Sequence, residues 1–429
     1  MSFNIKENKD FKEKYLYTTL DSGFSVYIIP KDLPTSYAMV CCDFGNADRK
    51  YILDGEEFTL PSGTAHFLEH KMFENADGSD AFLEFDRFGG NANAFTSFEN
   101  TCYYFSCTEN FFENLEILLK SVSSVNFTDG SIEKEKKIIA REIMMYEDSP
   151  TSAMMRNLYK ALYHNHPIVS PISGTLETIS EITKETLFKA YNDFYIPSNM
   201  SLCVCGNIDA EKVLSFAKRY FSKQTHARPK TVFDTEPKSI KAERIESCAP
   251  IATPLYSIGI KCPPFEKQNL NAQRVGTAIR IAISLMLGRS SDFYCDNYEK
   301  GIINERFYAG YTQSRNSAHI VISGSGNDFD TVKRLVIDEI EKRKALPFTE
   351  QELLREKRAA YAECISLFDN GEDIVSAMSA TAFLGYDEYD CIELIRDITS
   401  DEIMSALNTI DTNNCSLSVV NIKQGKETE

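Results

Sequence analysis

The segment Pro61-Ser62-Gly63-Thr64-Ala65-His66-Phe67-Leu68-Glu69-His70 holds two of the six histidines in this chain of 429 residues. The two histidines are four positions apart, about one helical turn, so a helix projects both imidazoles from one face toward one metal ion. Glu69 lies near that face and is free to move a proton. This H-x-x-E-H spacing inverts the H-E-x-x-H zinc motif. A buried histidine pair bonded only to backbone carbonyls is the less favoured alternative.

The flanking sequence predicts that the motif lies in the first turns of a helix. Ser62 or Thr64 is the expected N-cap of that helix. Strand-like runs precede it at residues 23–30 and 37–45, and residues 93–97 and 101–107 form a hairpin signature. The motif is therefore predicted to lie in a helix flanked by strands.

A zinc site with two histidines needs a third protein ligand and keeps a fourth position for water. A helix is predicted downstream, with Ser131 as a possible N-cap, and its apolar stripe contains Glu135 and Glu142. Carboxylates on such a stripe must be exposed at its edge, paired, or bound to a metal, because an unpaired buried charge is costly. We predict Glu142 as the third ligand, with Glu147 as the weaker candidate. The alternative is a solvated charged face beside neighbouring lysines.

The second half of the chain repeats the order of elements. A strand is predicted at residues 256–262, a helix at 270–288, two strands within 305–325, and a long helix opened by a capping box of Thr349 and Glu352. At an offset of 221 residues, Glu135 falls on Glu356 and Glu142 on Glu363, which suggests an internal duplication. No second H-x-x-E-H occurs there. The polar residues 222–250 are predicted to link a catalytic domain at 1–221 to a similar, non-catalytic domain at 251–429.

The composition of the chain argues against several classes of protein. A net charge of −17 argues against binding nucleic acid or an anionic membrane surface. The polar first residues form no signal-peptide core, and no apolar run of 18 residues occurs, so no membrane span is expected. The cysteines form no C-x-x-C motif, and we expect reduced core thiols without disulfides. These features suit a cytoplasmic enzyme.

Taken together, the motifs resemble the pitrilysin/insulinase family of inverzincin zinc metallopeptidases, which includes the subunits of mitochondrial processing peptidase. The resemblance rests on residues 61–73, Asn93-Ala94-Phe95-Thr96-Ser97, the two glutamates seven positions apart, Gly174-Thr175 and residues 195–206. It covers nearly all of the first half. In detail the sequence is most similar to the YmfH-like bacterial group, including Glu147-Asp148.

The resemblance implies roles for individual residues. His66, His70 and Glu142 would bind Zn²⁺, and Glu69 would be the general base. Glu135 would assist catalysis as a carboxylate behind the ligands. The remaining implied site residues are those that pair with an extended peptide substrate, namely Asn93 and Ala94.

The implied fold is α+β, with two homologous α/β units, each a mostly antiparallel sheet with helices packed on one face. Because family members usually close a chamber from two such pairs, the resemblance implies a homodimer or a heterodimer with a homologous chain. The implied activity is that of a zinc metalloendopeptidase acting on peptides or unfolded segments.

Two departures from the family pattern leave an alternative open. Glu142 follows His70 by 72 residues, a slightly short interval. The segment that often carries a substrate-holding arginine and tyrosine reads here, at residues 297–304, without an arginine, and Arg306, Tyr308 or Tyr311 would have to replace them. The alternative is a non-proteolytic subunit of a heterodimer that binds peptides or supports a modification pathway.

Overall fold

The computed structural model describes residues 3–8, 10–74, 79–265 and 267–423. The chain forms two compact units, and each is assembled from three segments. The first unit comprises Met1–Ile143, Ser170–Val232 and Cys364–Tyr389, and the second comprises Met144–Val169, Phe233–Glu363 and Asp390–Glu429. Each unit therefore includes one segment from the other half of the chain. The division into functional domains at 1–221 and 251–429 stays a prediction.

The first unit is built on a seven-stranded sheet with the order β1-β2-β3-β9-β4-β8-β7. Its strands are β1 (Asn4–Asn8), β2 (Glu13–Thr19), β3 (Ser25–Pro30), β4 (Ser36–Cys42), β7 (Asn91–Thr96), β8 (Thr101–Cys107) and β9 (Met200–Gly206). Only β3 and β9 run parallel. The predicted hairpin is β7 and β8, in which Asn93 pairs with Tyr104 and Thr96 with Thr101. β7 is one of the two edge strands, and β1 is the other. A smaller sheet joins β5 (Lys50–Leu53), β6 (Glu56–Thr59) and β10 (Lys230–Thr231).

The second unit repeats five of these strands in the same order, as β11-β15-β12-β14-β13. The strands are β11 (Arg244–Ala249), β12 (Leu255–Lys261), β13 (Tyr308–Ser314), β14 (Ser317–Ser325) and β15 (Cys415–Ile422). The single parallel pair, β11 with β15, occupies the position of β3 with β9. The predicted α+β fold with two homologous units is confirmed. Residues 222–250, predicted as a linker, contain the short strand β10 and the edge strand β11.

Helices pack on both faces of each sheet, and those on one face close its hydrophobic core. Those of the first unit are α1 (Thr64–Met72), α2 (Ala81–Arg87), α3 (Phe111–Ser123), α4 (Asp129–Glu147, of which residues up to 143 belong to this unit), α6 (Leu176–Ser180), α7 (Lys184–Phe194), α8 (Ala210–Phe221) and α13 (Gly371–Thr381). Those of the second unit are α5 (Pro150–Leu162), α9 (Leu270–Leu287), α10 (Asp292–Glu299), α11 (Phe329–Ala345), α12 (Glu350–Ser366, of which residues up to 363 belong to this unit), α14 (Glu388–Asp397, which begins two residues before this unit's last segment) and α15 (Ser400–Asn408). No helix in the described part of the chain is both long and apolar enough to span a bilayer.

The segments contributed by the other half are α5 and α13, whose first residues lie 221 positions apart. α5 packs on β11, β12 and β15. Gly259 of β12 permits this approach, because a Cβ there would lie 2.8 Å from side-chain atoms of both Leu158 and Leu162. α13 packs in the same way on β4 and β9. Asp387, just after α13, accepts hydrogen bonds from Lys6 at 2.6 Å and Tyr15 at 2.5 Å, which fixes that segment to the first unit.

Two predicted helix caps are wrong. α1 is capped by Gly63, with φ of 93° and no capping side chain, instead of by Ser62 or Thr64. A side chain at Gly63 would collide with the backbone, because its Cβ would lie 2.7 Å from the carbonyl oxygen of Ser173. α4 begins at Asp129, and Thr128 caps it by accepting the backbone N–H of Ser131 at 3.2 Å. Both helices nevertheless lie where the motifs predicted them.

Candidate metal centre

Helix α1 presents the H-x-x-E-H motif from a rigid base. Phe67 and Leu68 are completely buried in the first core, which fixes the rotation of the helix about its axis. Its start is held by the Asn46 side chain, whose Oδ1 accepts the backbone N–H of Gly63 at 3.0 Å. The imidazoles of His66 and His70 consequently lie side by side, with ring centroids 4.6 Å apart.

Helix α4 brings a carboxylate to both imidazoles. Oε1 of Glu142 lies 3.4 Å from Nε2 of His66, and Oε2 lies 3.4 Å from Nε2 of His70. The potential ligand atoms of these three residues all lie within 4.8 Å of one another. Among the described residues, no other three His, Cys, Asp or Glu side chains converge in this way. The predicted trio is therefore brought together in space. Glu147, the weaker candidate, is exposed at the end of α4.

The donor set fits a tetrahedral zinc ion. Zinc binds imidazole nitrogen and carboxylate oxygen at about 2.0–2.2 Å, which places neighbouring ligands about 3.3–3.6 Å apart in a tetrahedron. The two nitrogen-to-oxygen separations of 3.4 Å fall in this range. Two nitrogens and one carboxylate also match the common catalytic set, which leaves a fourth position for water.

Glu135 orients one of the two imidazoles. Its Oε1 lies 2.9 Å from Nδ1 of His70, so that nitrogen donates its hydrogen to the carboxylate. Nε2 faces Glu142 and would become the ligand atom once a metal ion replaces its proton. Burial lowers the pKa of His70, but the hydrogen bonds to Glu135 and Glu142 outweigh it and raise the pKa to about 9. Nδ1 of His66 is buried without a hydrogen-bond partner in the described structure, so that ring has no supporting carboxylate of the kind that Glu135 provides for His70.

The hydrogen bonds from His66 and His70 lower the pKa of Glu142 and outweigh the opposing effect of burial. The carboxylate is thus held in its charged form, as metal binding requires. Two adjacent imidazoles facing a charged carboxylate form a site in which a dication can replace protons.

Glu69 is held by a residue that the sequence did not single out. Oγ1 of Thr96 donates a hydrogen bond to Oε2 of Glu69 at 2.5 Å. Thr101, which pairs with Thr96 across the hairpin, donates to the carbonyl oxygen of Phe44 at 2.8 Å and lies 3.5 Å from the Thr96 hydroxyl. Among the described residues, no hydrogen bond is made to Oε1 of Glu69. The only signal in the sequence was the position of Thr96 in the quoted Asn-Ala-Phe-Thr-Ser stretch.

The predicted substrate residues lie on the open edge of the sheet. Asn93 and Ala94 are in β7, which pairs with β8 on one side only. The Ala94 N–H is bonded to Oδ1 of the Asn93 side chain at 2.8 Å. Ala94 shares its sheet face with Thr96, two residues on, and therefore with Glu69. An extended peptide added to this edge would run past the metal-binding side chains.

The candidates in the second unit do not join a comparable site. Glu356, the counterpart of Glu135, is buried on α12, whereas Glu363 is exposed. Tyr308 is 63% exposed on the edge strand β13, and Tyr311 is buried on the same strand. Arg306 is exposed in the preceding loop. No metal-ligating trio accompanies these side chains in the described residues of that unit.

Comparison with known proteins agrees with this geometry. Residues 56–176 match the model of the insulinase family (peptidase family M16), and residues 181–360 match the model of the peptidase M16 inactive domain. The chain is 31% identical to a protein of Bacillus subtilis (strain 168) described as "Uncharacterized zinc protease YmfH", over 94% of this chain and 95% of that one. The chain belongs to peptidase family M16.

Two solved structures share the fold of this chain. A putative M16-like peptidase from Alicyclobacillus acidocaldarius superposes with a TM-score of 0.90 at 27% identity, covering 99% of both chains. A protease from Helicobacter pylori gives a TM-score of 0.80 at 20% identity over 96% of this chain and all of that one, which shows the fold alone. The predicted resemblance to the insulinase family is therefore confirmed.

Proposed function

We propose that this M16 chain is a zinc-dependent endopeptidase that hydrolyses peptides or unfolded segments. The observation that carries the proposal is the convergence of His66, His70 and Glu142, whose ligand atoms lie within 4.8 Å of one another, beside a glutamate that is not a ligand. Relatives named as zinc proteases support it. In this assignment, residues 1–221 carry the chemistry and residues 251–429 do not.

The three ligand residues would hold the ion. When bound, zinc polarises the peptide carbonyl and lowers the pKa of its water toward neutrality. Glu135 keeps the Nε2 lone pair of His70 directed at the site through the bond at Nδ1. Glu69 takes the proton of the attacking water on Oε1, because Oε2 is occupied by Thr96, and then delivers it to the leaving amine.

Edge strand β7 would bind the substrate. A peptide that pairs with Asn93 and Ala94 adds a strand to the sheet by β-augmentation, which requires an extended backbone. Such a peptide must displace the Asn93 side chain from the Ala94 N–H that it now occupies. This explains a preference for short or unfolded substrates, because a folded protein cannot offer an unpaired strand.

The chamber is completed by a second chain in this proposal. The homologue names support an M16 peptidase, and the second match is to the inactive domain of the family. We therefore propose a homodimer or a heterodimer with a homologous chain, acting in the cytoplasm. The native mass of the purified chain tests the dimer, and cell fractionation tests the compartment.

The activity is tested with a quenched-fluorescence peptide library, before and after chelation and zinc restoration. The parent chain, or its complex with a partner, should cleave only when zinc is present. Glu69→Gln should keep stoichiometric zinc and lose turnover by about 100-fold or more, since general base catalysis typically contributes 10²–10⁴-fold. The matched control is Glu84→Gln on α2, which should behave as the parent, because Glu84 pairs with Lys120 at 3.8 Å and is not one of the site residues.

A parent rate in Glu69→Gln would contradict the assigned base. Stoichiometric zinc with no turnover, alone or with a partner, would contradict the peptidase proposal. That second outcome would favour the peptide-binding subunit instead.

A further inference from the structure

Lys71 follows the second histidine and is a charged side chain with no place in the proposed mechanism. The residue is only 1% exposed, so its ammonium is removed from water and needs polar partners. The Nζ atom forms an ion pair with Glu74 on its own segment and donates a hydrogen bond to Oγ of Ser131 on α4 at 3.0 Å. Lys71 therefore joins the two helices that carry the candidate ligands.

The partner of Lys71 belongs to the capping structure of α4. The Ser131 backbone N–H is accepted by Oγ1 of Thr128, and the Ser131 hydroxyl donates to the Thr128 carbonyl oxygen at 3.1 Å. This exchange fixes the first turn of the helix. A bond from Lys71 to Ser131 consequently positions the start of the whole helix and not merely one side chain.

Ser131, Glu135 and Glu142 lie on one side of α4. Glu135 follows Ser131 by four residues and Glu142 follows Ser131 by eleven, which correspond to about one and three helical turns. In this order they contact Lys71, His70, and the His66–His70 pair. The contacts form a continuous polar seam between α1 and α4, and Lys71 closes its far end, about 16 Å along the helix from Glu142.

Apolar packing alone holds α4 weakly. Only Ile132, Ile139 and Ile143 are buried among its nineteen residues. A single apolar stripe of this kind restrains sliding and rotation poorly, so the polar seam has to set the register of the helix. In the absence of metal, Glu142 is kept in place by its own contacts with the two imidazoles and by the position of its helix. That position depends on the bonds Lys71–Ser131 and His70–Glu135, and on the bond from Lys136 to the Ser180 carbonyl oxygen at 3.2 Å.

We infer that Lys71 is a positioning residue that pre-forms the zinc site by fixing helix α4 against α1. The inference rests on the proposed zinc site. For a variant without Lys71, the inference predicts a change in zinc affinity opposite in sign to the change expected from electrostatics alone. Removing a cation near a bound dication should strengthen metal binding by Coulomb's law. Loss of a positioning residue should weaken it.

The test is the zinc dissociation constant of the full chain, measured by competition with a chelator of known affinity. Lys71→Met, of similar length but without charge, should bind zinc about 10-fold or more weakly, as expected for a residue that supports ligands. Ser131→Ala should weaken binding by a smaller factor. The double variant should be no weaker than Lys71→Met, because both changes break one bond. Lys137→Met, an exposed position on α4, is the control and should match the parent.

Unchanged or tighter zinc binding by folded Lys71→Met would overturn the inference. If that variant does not fold, Ser131→Ala decides, and parent-like affinity there would overturn it. A purely structural role would lower the melting temperatures of the metal-free and zinc-loaded protein equally and leave the dissociation constant unchanged. A parent chain that fails to bind zinc would instead contradict the proposed function.

Discussion

The two larger sheets of this chain share the same order of five strands, yet in the described residues only the first has a metal-ligating trio beside it. In the first unit, α1 carries two histidines and α4 carries two carboxylates that face them. In the second, α12 has glutamates at the corresponding positions 356 and 363, but the unit's histidine on β14, His319, is buried in the sheet.

The difference shows that the sheet supplies a scaffold and a few side chains supply the chemistry. A glutamate at the equivalent helical position does not by itself make a metal site, because the site also needs imidazoles that a second helix directs toward that glutamate. The comparison also provides matched controls, since the two glutamates of α4 have counterparts on α12, Glu356 and Glu363.

The largest effect is expected from removing the carboxylate ligand. Glu142→Gln should weaken zinc binding by at least about 100-fold, because even carboxylates that only support a ligand are worth 10–100-fold. Glu363→Gln, its counterpart, should bind zinc as the parent does. Chelator competition measures both. Equal affinities for the two variants would break the proposed difference between the units.

A smaller loss is expected at Glu135. Glu135→Gln keeps a hydrogen-bond acceptor near Nδ1 of His70 but loses the charge, so zinc affinity should fall about 10–100-fold. Glu356→Gln changes the buried counterpart and should leave zinc affinity unchanged, whatever it does to stability. If Glu135→Gln retained full affinity, the role of Glu135 behind His70 would be wrong.

The edge strands give the third comparison. Thr96→Val removes the hydroxyl that holds Glu69 and should lower kcat about 10-fold, since hydrogen bonds to charged groups contribute about 1.5–3 kcal/mol. KM and zinc content should not change, and Thr96→Ser should restore most of the rate. Thr312→Val on β13 is the control. In a Glu69→Gln background, Thr96→Val should cause no further loss, and an additional loss would mean that Thr96 acts elsewhere.

The smallest predicted effect concerns the histidine of the second unit. Burial lowers the pKa of His319 to about 4, with a further lowering from His166. The unfolded chain therefore binds more protons between pH 6.5 and 4, so the stability of the second unit should fall as the pH falls through that window. By pH 5 the loss should reach about 2 kcal/mol.

Limited proteolysis of the second unit at pH 7 and pH 5 measures this effect. His319→Gln should flatten the dependence, because glutamine has no proton to gain. The pKa shift of His70 is opposite in direction to that of His319, because carboxylates face His70 and raise its pKa. An acid response of the second unit that persists in His319→Gln would show that other groups are responsible.

Local patterns predicted the parts of the site that depend on helical spacing. The pair in α1 and the stripe on α4 are periodic features, and the Thr349–Glu352 capping box is present, with Glu352 accepting the Thr349 N–H at 2.8 Å. Thr96 could not be recognised in this way, because its partner lies 27 residues away and is brought near only by packing. The Gly63 cap likewise depends on the approach of residue 173, far along the chain.

The exchange of segments between the units was beyond sequence reasoning for a different reason. α5 and α13 are amphipathic helices, and amphipathicity shows which face is buried without showing against which sheet. Both sheets present apolar faces, and five of their strands have the same order. What decides is close fit, such as Leu158 and Leu162 over Gly259, which only the folded chain reveals.

The central claim is that one zinc ion is held by His66, His70 and Glu142. X-ray absorption spectroscopy on the zinc-loaded chain, with the metal content measured on the same sample, tests it most directly. The account predicts one zinc per chain, coordinated only by nitrogen and oxygen at about 2.0–2.2 Å, with two imidazoles. Because the chain contains twelve cysteines, zinc has sulfur ligands available elsewhere if the assigned site is wrong. A sulfur shell at about 2.3 Å, or no stoichiometric zinc, would contradict the account.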